Sequence, residues 1–256
     1  MAAPTSKPPA KRAAAAANPA KRAAGEPLTP VQPVPARIRP TVAERVIGSD
    51  ADVAEGVAAL SARCPFARVM AATSGALPLR LREPGFEGLA RIVVSQQVSV
   101  ASAAAIWARV SGQFQPMQAA TVLAASDDEL RSAGLSRPKV KTLRAIATAV
   151  THEGLVLDAL DAVPNEQVHA ALTRVSGIGP WTADIFLMFC LGRADGFPPG
   201  DLALQEAAKL VMQLDTRPTA PELLAIAERW RPWRSVAARL LWAYYKVVKE
   251  RDGIGA

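Results

Sequence analysis

Cysteine is nearly absent from this chain. Cys64 and Cys190 stand far apart, and neither belongs to a CxxC pair. A disulfide framework, a thiolate zinc site and a cysteine-held iron–sulfur cluster all need more thiols than that. Histidine is equally scarce, with only His152 and His169, so imidazole ligation is not expected and no metal or cofactor is assigned. No uninterrupted apolar run approaches the ~18 residues of a membrane span. No apolar segment of the secretory type opens the chain. Aromatic residues are few, at 5%, and with abundant alanine and leucine this favours helices over a β-sandwich. These absences lead one to expect a reduced, cytoplasmic, metal-free protein with no membrane partner.

The chain has 256 residues, about half of them apolar, enough for one large domain or two small ones sharing a core. Its formal charge is +7, but the excess is unevenly placed. Lys7, Lys11, Arg12, Lys21, Arg22, Arg37 and Arg39, against Glu26 alone, put six of the seven charges before residue 41. Residues 1–40 are rich in Pro, Ala and Lys and repeat Pro-Ala-Lys-Arg-Ala-Ala at Pro9 and Pro19. They read as a disordered basic tail, serving either non-specific contact with nucleic acid or solubility. Residues 41–256 form the folded domain. Its near-neutral balance says little about function.

From Thr41 onward the apolar periodicity is helical, and the class read from it is all-α. Helices are predicted over 50–63, 86–114, 117–124, 127–133, 137–152, 164–174, 180–191, 201–214, 221–230 and 232–250. Ser126 with Glu129 makes a capping-box pattern, and Pro164, Pro221 and Pro232 sit where first-turn prolines are tolerated. Leu77–Leu81 can form a short extended piece at an edge.

The most informative stretch is Leu172-Thr-Arg-Val-Ser-Gly-Ile-Gly-Pro-Trp-Thr-Ala-Asp184. Leu172 and Val175 close one helix, Gly177-Ile178-Gly179 turns tightly, and Pro180 opens the next helix. Two glycines allow a sharp turn and a close approach to another surface. Unpaired amides at the second helix's start match a phosphate oxygen. The pattern resembles the helix-hairpin-helix DNA-binding motif, which grips backbone without reading sequence. On that resemblance Gly177, Ile178, Gly179 and Thr182 contact the DNA backbone.

Twenty-four residues after Gly177, the run Gly196-Phe-Pro-Pro-Gly ends at Asp201, which opens a helix. Alone, such an aspartate is an N-cap. Hairpin, Gly/Pro loop and aspartate together resemble the helix-hairpin-helix (HhH-GPD) DNA glycosylase superfamily. Three further stretches extend the likeness: Phe86–Ser99 with its Gln-Gln pair, Gly134–Arg144, and Trp230–Trp242, the last similar to the 3-methyladenine DNA glycosylase II branch.

The resemblance implies two helical subdomains flanking a DNA-binding cleft, and a monomer acting on double-stranded DNA that contains alkylated bases. Asp201 becomes the catalytic carboxylate, Trp181 and Trp242 line the base pocket, and Gln97 and Gln96 form a minor-groove wedge. Arg137, Lys139 and Lys141 are candidates for phosphate contact or an exposed basic face. Trp107, Trp230 and Trp233 read as packing residues. Lyase-competent relatives carry a lysine where this chain has Trp181, so no Schiff base is expected and the chemistry is hydrolysis of the glycosidic bond after base flipping. The best-known bacterial relative has tyrosines at the positions of Leu202 and Ile185, so this pocket is less aromatic. Two alternatives stay open: a sibling glycosylase for oxidised or deaminated bases, and a non-catalytic binder of damaged DNA.

Overall fold

The computed structural model describes residues 44–251. The basic tail assigned to 1–40, together with 41–43 and 252–256 of the folded region, lies outside the described residues. Among the described residues there is no strand, and one isolated antiparallel bridge joins Val46 to Arg193.

The chain begins with α1 (Asp50–Arg63) and α2 (Pro65–Ser74). Ser49 caps α1 by accepting from the Asp52 amide, while the Asp52 carboxylate accepts from the amides of Gly48 and Ser49. The Ser49 hydroxyl also donates to that carboxylate at 2.7 Å, and this bond first, with the two amides, holds the Asp52 carboxyl below its ordinary range. Cys64 ends α1 and Pro65 opens α2 at once, so α2 is a helix the sequence reading missed. Residues 77–81 follow without strand pairing; the Leu79 amide donates to Asp50 instead.

Next come α3 (Gly85–Ser95), α4 (Val100–Gln113), α5 (Ala119–Ala124), α6 (Asp127–Ser132) and α7 (Arg137–His152). The single helix expected over 86–114 is therefore two. Gln96 leaves helical geometry, Gln97 adopts a left-handed φ of 55°, and Ser99 caps α4 by accepting from the Ser102 amide. Apolar segments on both sides of the polar run Ser95-Gln96-Gln97, with no glycine or proline between them, hid this turn. A 3-10 turn at Leu157–Ala162, also unforeseen, leads to α8 (Asn165–Thr173) and α9 (Pro180–Phe189). The chain closes with α10 (Leu202–Met212), α11 (Ala220–Ala227), a 3-10 turn at Glu228–Trp230, and α12 (Arg234–Arg251).

Two hydrophobic cores form. One gathers Leu89, Ile92, Leu130, Leu143, Ile146, Leu172 and Phe186, from α3 to α9. The other joins the beginning of the chain to its end: Leu60 and Met70 pack with Leu204, Leu223, Trp230 and Leu240. Each such fully buried large side chain contributes on the order of 2 kcal/mol. Phe189 and Trp242 pack against both cores. The fold is thus two helical lobes, with the second assembled from both ends of the domain. An ion pair between the buried Arg193 and the half-buried Glu44, at 2.8 Å, fastens the first described residues to the loop after α9.

Candidate active site

The hairpin forms between α8 and α9. The Val175 amide donates to the Leu172 carbonyl, and the Ile178 amide to that of Val175, closing two tight turns. Gly177 has φ +89°, and a Cβ there would lie 2.1 Å from Thr142 Oγ1 on α7. Only glycine permits both the conformation and the contact. Gly179, in contrast, has nothing within 4 Å of where a Cβ would stand. Both glycines are exposed, and among the described residues their amides meet no acceptor. Pro180 at the first position of α9 has no N–H to satisfy. The turn is therefore an open set of donors at a helix start, suited to an anion.

The two other residues assigned to backbone contact face inward. Ile178 is buried in the first core. Thr182 is 2% exposed and its hydroxyl accepts from Gln96 Nε2 at 2.7 Å, so its side chain is a brace between α9 and the turn after α3. That bond separates the glutamines: Gln96 is half-buried and tethered, while Gln97 is exposed at the tip of the turn.

Asp201 ends a loop and caps α10. Its amide donates to the Pro198 carbonyl, its Oδ1 accepts from the Leu204 amide at 3.1 Å, and its carbonyl accepts from the Gln205 amide. Gln205 Nε2 in turn donates to the Pro199 carbonyl, pinning the loop to the helix it opens. Trp181 Nε1 on α9 donates to Asp201 Oδ2 at 2.9 Å, and Trp242 Nε1 on α12 donates to Oδ1 at 3.1 Å. Each carboxylate oxygen thus receives an indole N–H, one from each lobe. These acceptor bonds fix the direction of the carboxylate.

Between the lobes, beside Asp201, lies a cavity of about 360 Å³. Trp107, Trp181, Ile185, Phe189 and Trp242 supply its apolar walls, and Arg82, Arg91 and Ser95 its other polar ones. Phe189 stacks on Trp242 with ring centroids 6.0 Å apart. The sequence reading missed Phe189, although its spacing of four and eight residues from Ile185 and Trp181 puts all three on one helical stripe. It also missed Arg82, which sits in a non-helical loop that carries no periodic signal. Trp107 packs as expected and lines the cavity as well; Trp230 and Trp233 lie in the second core.

The basic residues at the start of α7 divide. Lys139 Nζ donates to the Val94 carbonyl at 2.7 Å, bracing the end of α3, and burial lowers the pKa of its ammonium. Arg137 and Lys141 line a separate surface hollow of about 370 Å³ with Arg131 and Arg144.

Residues 90–232 match the model of the HhH-GPD superfamily base excision DNA repair proteins. The chain belongs to this superfamily. It is 33% identical over 173 residues to DNA-3-methyladenine glycosylase 1 of Schizosaccharomyces pombe, covering 65% of this chain and 74% of that one. To DNA-3-methyladenine glycosylase 2 of Escherichia coli it is 31% identical over 183 residues, covering 66% and 62%. It spans 41% of a larger Mycobacterium tuberculosis relative, a probable bifunctional transcriptional activator/DNA repair enzyme, at 32% identity over 77% of this chain. Among solved structures, the Schizosaccharomyces pombe 3-methyladenine DNA glycosylase bound to abasic DNA superposes with a TM-score of 0.66 at 28% identity, covering 73% of this chain and 95% of that one. The Bacillus halodurans DNA-3-methyladenine glycosidase gives 0.64 at 28%, covering 80% and 94%.

As an HhH-GPD member the chain is a DNA glycosylase of the base excision class. The hairpin and the loop ending at Asp201 both fall inside the matched segment.

Proposed function

We propose that this glycosylase excises alkylated purines from double-stranded DNA by hydrolysis, without strand cleavage. The observation that carries the reading is the Asp201 carboxylate, held by two indoles and a cap amide on the wall of an aromatic cavity between the lobes. Alkylation at a purine ring nitrogen makes the base a good leaving group, so the site must stabilise a sugar that becomes oxocarbenium-like. A fixed carboxylate does so by charge and can receive a proton from attacking water.

The target nucleotide reaches the cavity only by leaving the stack. Gln97, exposed in the turn between Ser95 and Val98, which both line the cavity, is the side chain we assign to the vacated space, and the open amides of Gly177 and Gly179 are assigned to a phosphate. Among the described residues no lysine lines the cavity, which supports hydrolysis over imine chemistry. Relatives named as 3-methyladenine glycosylases support the substrate class.

The test is release of bases from a methylated duplex, with Asp201→Asn alongside. Wild type should release methylpurine and leave an intact abasic strand that breaks only on alkali treatment. Undiminished release by Asp201→Asn would overturn the carboxylate's role. Covalent trapping by borohydride would overturn hydrolysis, and tight binding without release would make the protein a damage-binding module.

A further inference from the structure

Arg239 on α12 is buried, with 6% of its surface exposed. No carboxylate compensates it. Among the described residues it forms no ion pair, and the charge that acts on it is that of Arg80, another cation. Its Nε and Nη1 are enclosed without a partner, and Nη2 reaches the Met188 carbonyl only at 3.4 Å, long for a hydrogen bond. Burial lowers the guanidinium's pKa to about 10, which leaves it charged near neutral pH. A charge enclosed in this way costs free energy, and an apolar side chain of similar length serves a fold at least as well.

What the buried charge does meet is an aromatic face. The Arg239 guanidinium carbon lies 4.8 Å from the centroid of the Phe189 ring, a cation–π contact of the kind that strengthens when desolvated. Phe189 in turn stacks on Trp242, with centroids 6.0 Å apart and planes 30° from parallel. Trp242 Nε1 donates to Asp201 Oδ1 at 3.1 Å. Arg239 and Trp242 are three residues apart on α12, so guanidinium and indole project from one side of the helix toward the same ring. Three consecutive contacts therefore lead from the buried charge to the carboxylate.

The backbone of Phe189 is already fixed. It is the last residue of α9, and its carbonyl accepts from the Arg82 amide at 2.7 Å. The freedom left to it is rotation of its ring, and Arg239 restrains that ring from a position it shares with the end of α9. The Met188 carbonyl beside it is among the last of that helix, where the helix dipole favours a cation. A ring free to turn would no longer hold the Trp242 plane. The indole N–H would then lose its aim at Asp201, and such bonds weaken steeply with angle.

We infer that Arg239 is a positioning residue for excision, holding Phe189 against Trp242 so that the indole keeps its N–H on the Asp201 carboxylate. The inference rests on the reading of Asp201 as the catalytic carboxylate. Arg239 itself touches neither the carboxylate nor the cavity, and acts through the two rings between them. Its charge serves the direction of the acid at the expense of stability, as groups that preorganise a site commonly do.

The experiment uses the full chain, isotope-labelled at its indole nitrogens, with the Trp242 N–H resonance identified as the one that Trp242→Phe removes. Arg239→Met should unfold no earlier than wild type on heating. It should move the Trp242 resonance upfield as the bond to Asp201 slackens, and lower single-turnover excision from a methylated duplex about tenfold. In a Trp242→Phe background the same change should cost nothing further, because the route to the carboxylate is already cut. Phe189→Leu, which removes the ring and leaves the cation, should move the same resonance. A Trp242 resonance unmoved in either variant, a melting temperature of Arg239→Met well below wild type, or a tenfold loss repeated in Trp242→Phe overturns the inference. If wild type excises nothing while the resonance responds, the catalytic reading fails and Arg239 still positions the indole. If excision depends on Asp201 while the resonance stays in place, the positioning role fails and the catalytic reading stands.

Discussion

Gly177 and Thr142 approach so closely that a single added methyl group would lie 2.1 Å from the threonine hydroxyl. The hairpin is thereby seated on α7, and the open amides of its turn are held by a tertiary contact as well as by their own backbone.

Gly177→Ala should therefore destabilise the protein by about 2 kcal/mol or more, combining a left-handed φ of +89° with a side-chain clash. The paired change Gly177→Ala with Thr142→Ala should recover part of the loss, because it removes the hydroxyl and leaves the backbone term. Thermal unfolding of the four-member mutant cycle checks this. A double variant no more stable than Gly177→Ala would show that the contact is irrelevant.

Trp181→Phe and Trp242→Phe each keep a ring and delete one donor to Asp201. A hydrogen bond to a charged group contributes about 1.5–3 kcal/mol, so each variant should lower single-turnover excision roughly 10- to 100-fold. DNA affinity should change little. Loss of affinity with an unchanged excision rate would assign the indoles to stacking alone.

Asp184 on α9 supplies a pH dependence. Burial raises its carboxyl from the ordinary value near 4 to about 7, opposed by the positive charge of Arg234, with His169 Nε2 4.0 Å away. The folded chain holds this proton more tightly than the unfolded one. Its contribution to stability is therefore fully present in acid, declines as pH rises from about 4 to about 7, and is lost above that. Asp184→Asn should remove this slope and be the more stable protein at pH 8, by at most about 4 kcal/mol. Denaturant titrations between pH 5 and 8 read it directly; parallel curves for the two proteins would contradict it.

Gln97 holds a left-handed conformation without being glycine. Gln97→Gly should stabilise the fold by roughly 0.5–1 kcal/mol, since the strain it relieves exceeds glycine's entropic cost, yet lower excision by removing the side chain assigned to the gap in the duplex. Gln97→Ala should lower excision without the stability gain. Unchanged excision in both would remove the wedge assignment.

Local chemistry made much of this architecture readable. The bounds of α1 and α7 follow from apolar periodicity, and the Ser126–Glu129 capping box forms as its spacing implies. Two kinds of feature were illegible. The break at Gln97 is a backbone reversal between two apolar segments with no glycine or proline to mark it, so periodicity passes over it. The convergence of Trp181 and Trp242 on Asp201 depends on how two lobes close, with partners 20 and 41 residues from the aspartate. The inward turn of Thr182 is likewise a product of packing against Gln96, which motif spacing does not encode.

The two indoles that grip Asp201 belong to different lobes. Any swing that widened the crevice would draw one N–H off its oxygen before the other. The carboxylate therefore bridges the two lobes as well as facing the cavity, so the packing of one lobe on the other and the direction of the acid are set by the same pair of bonds.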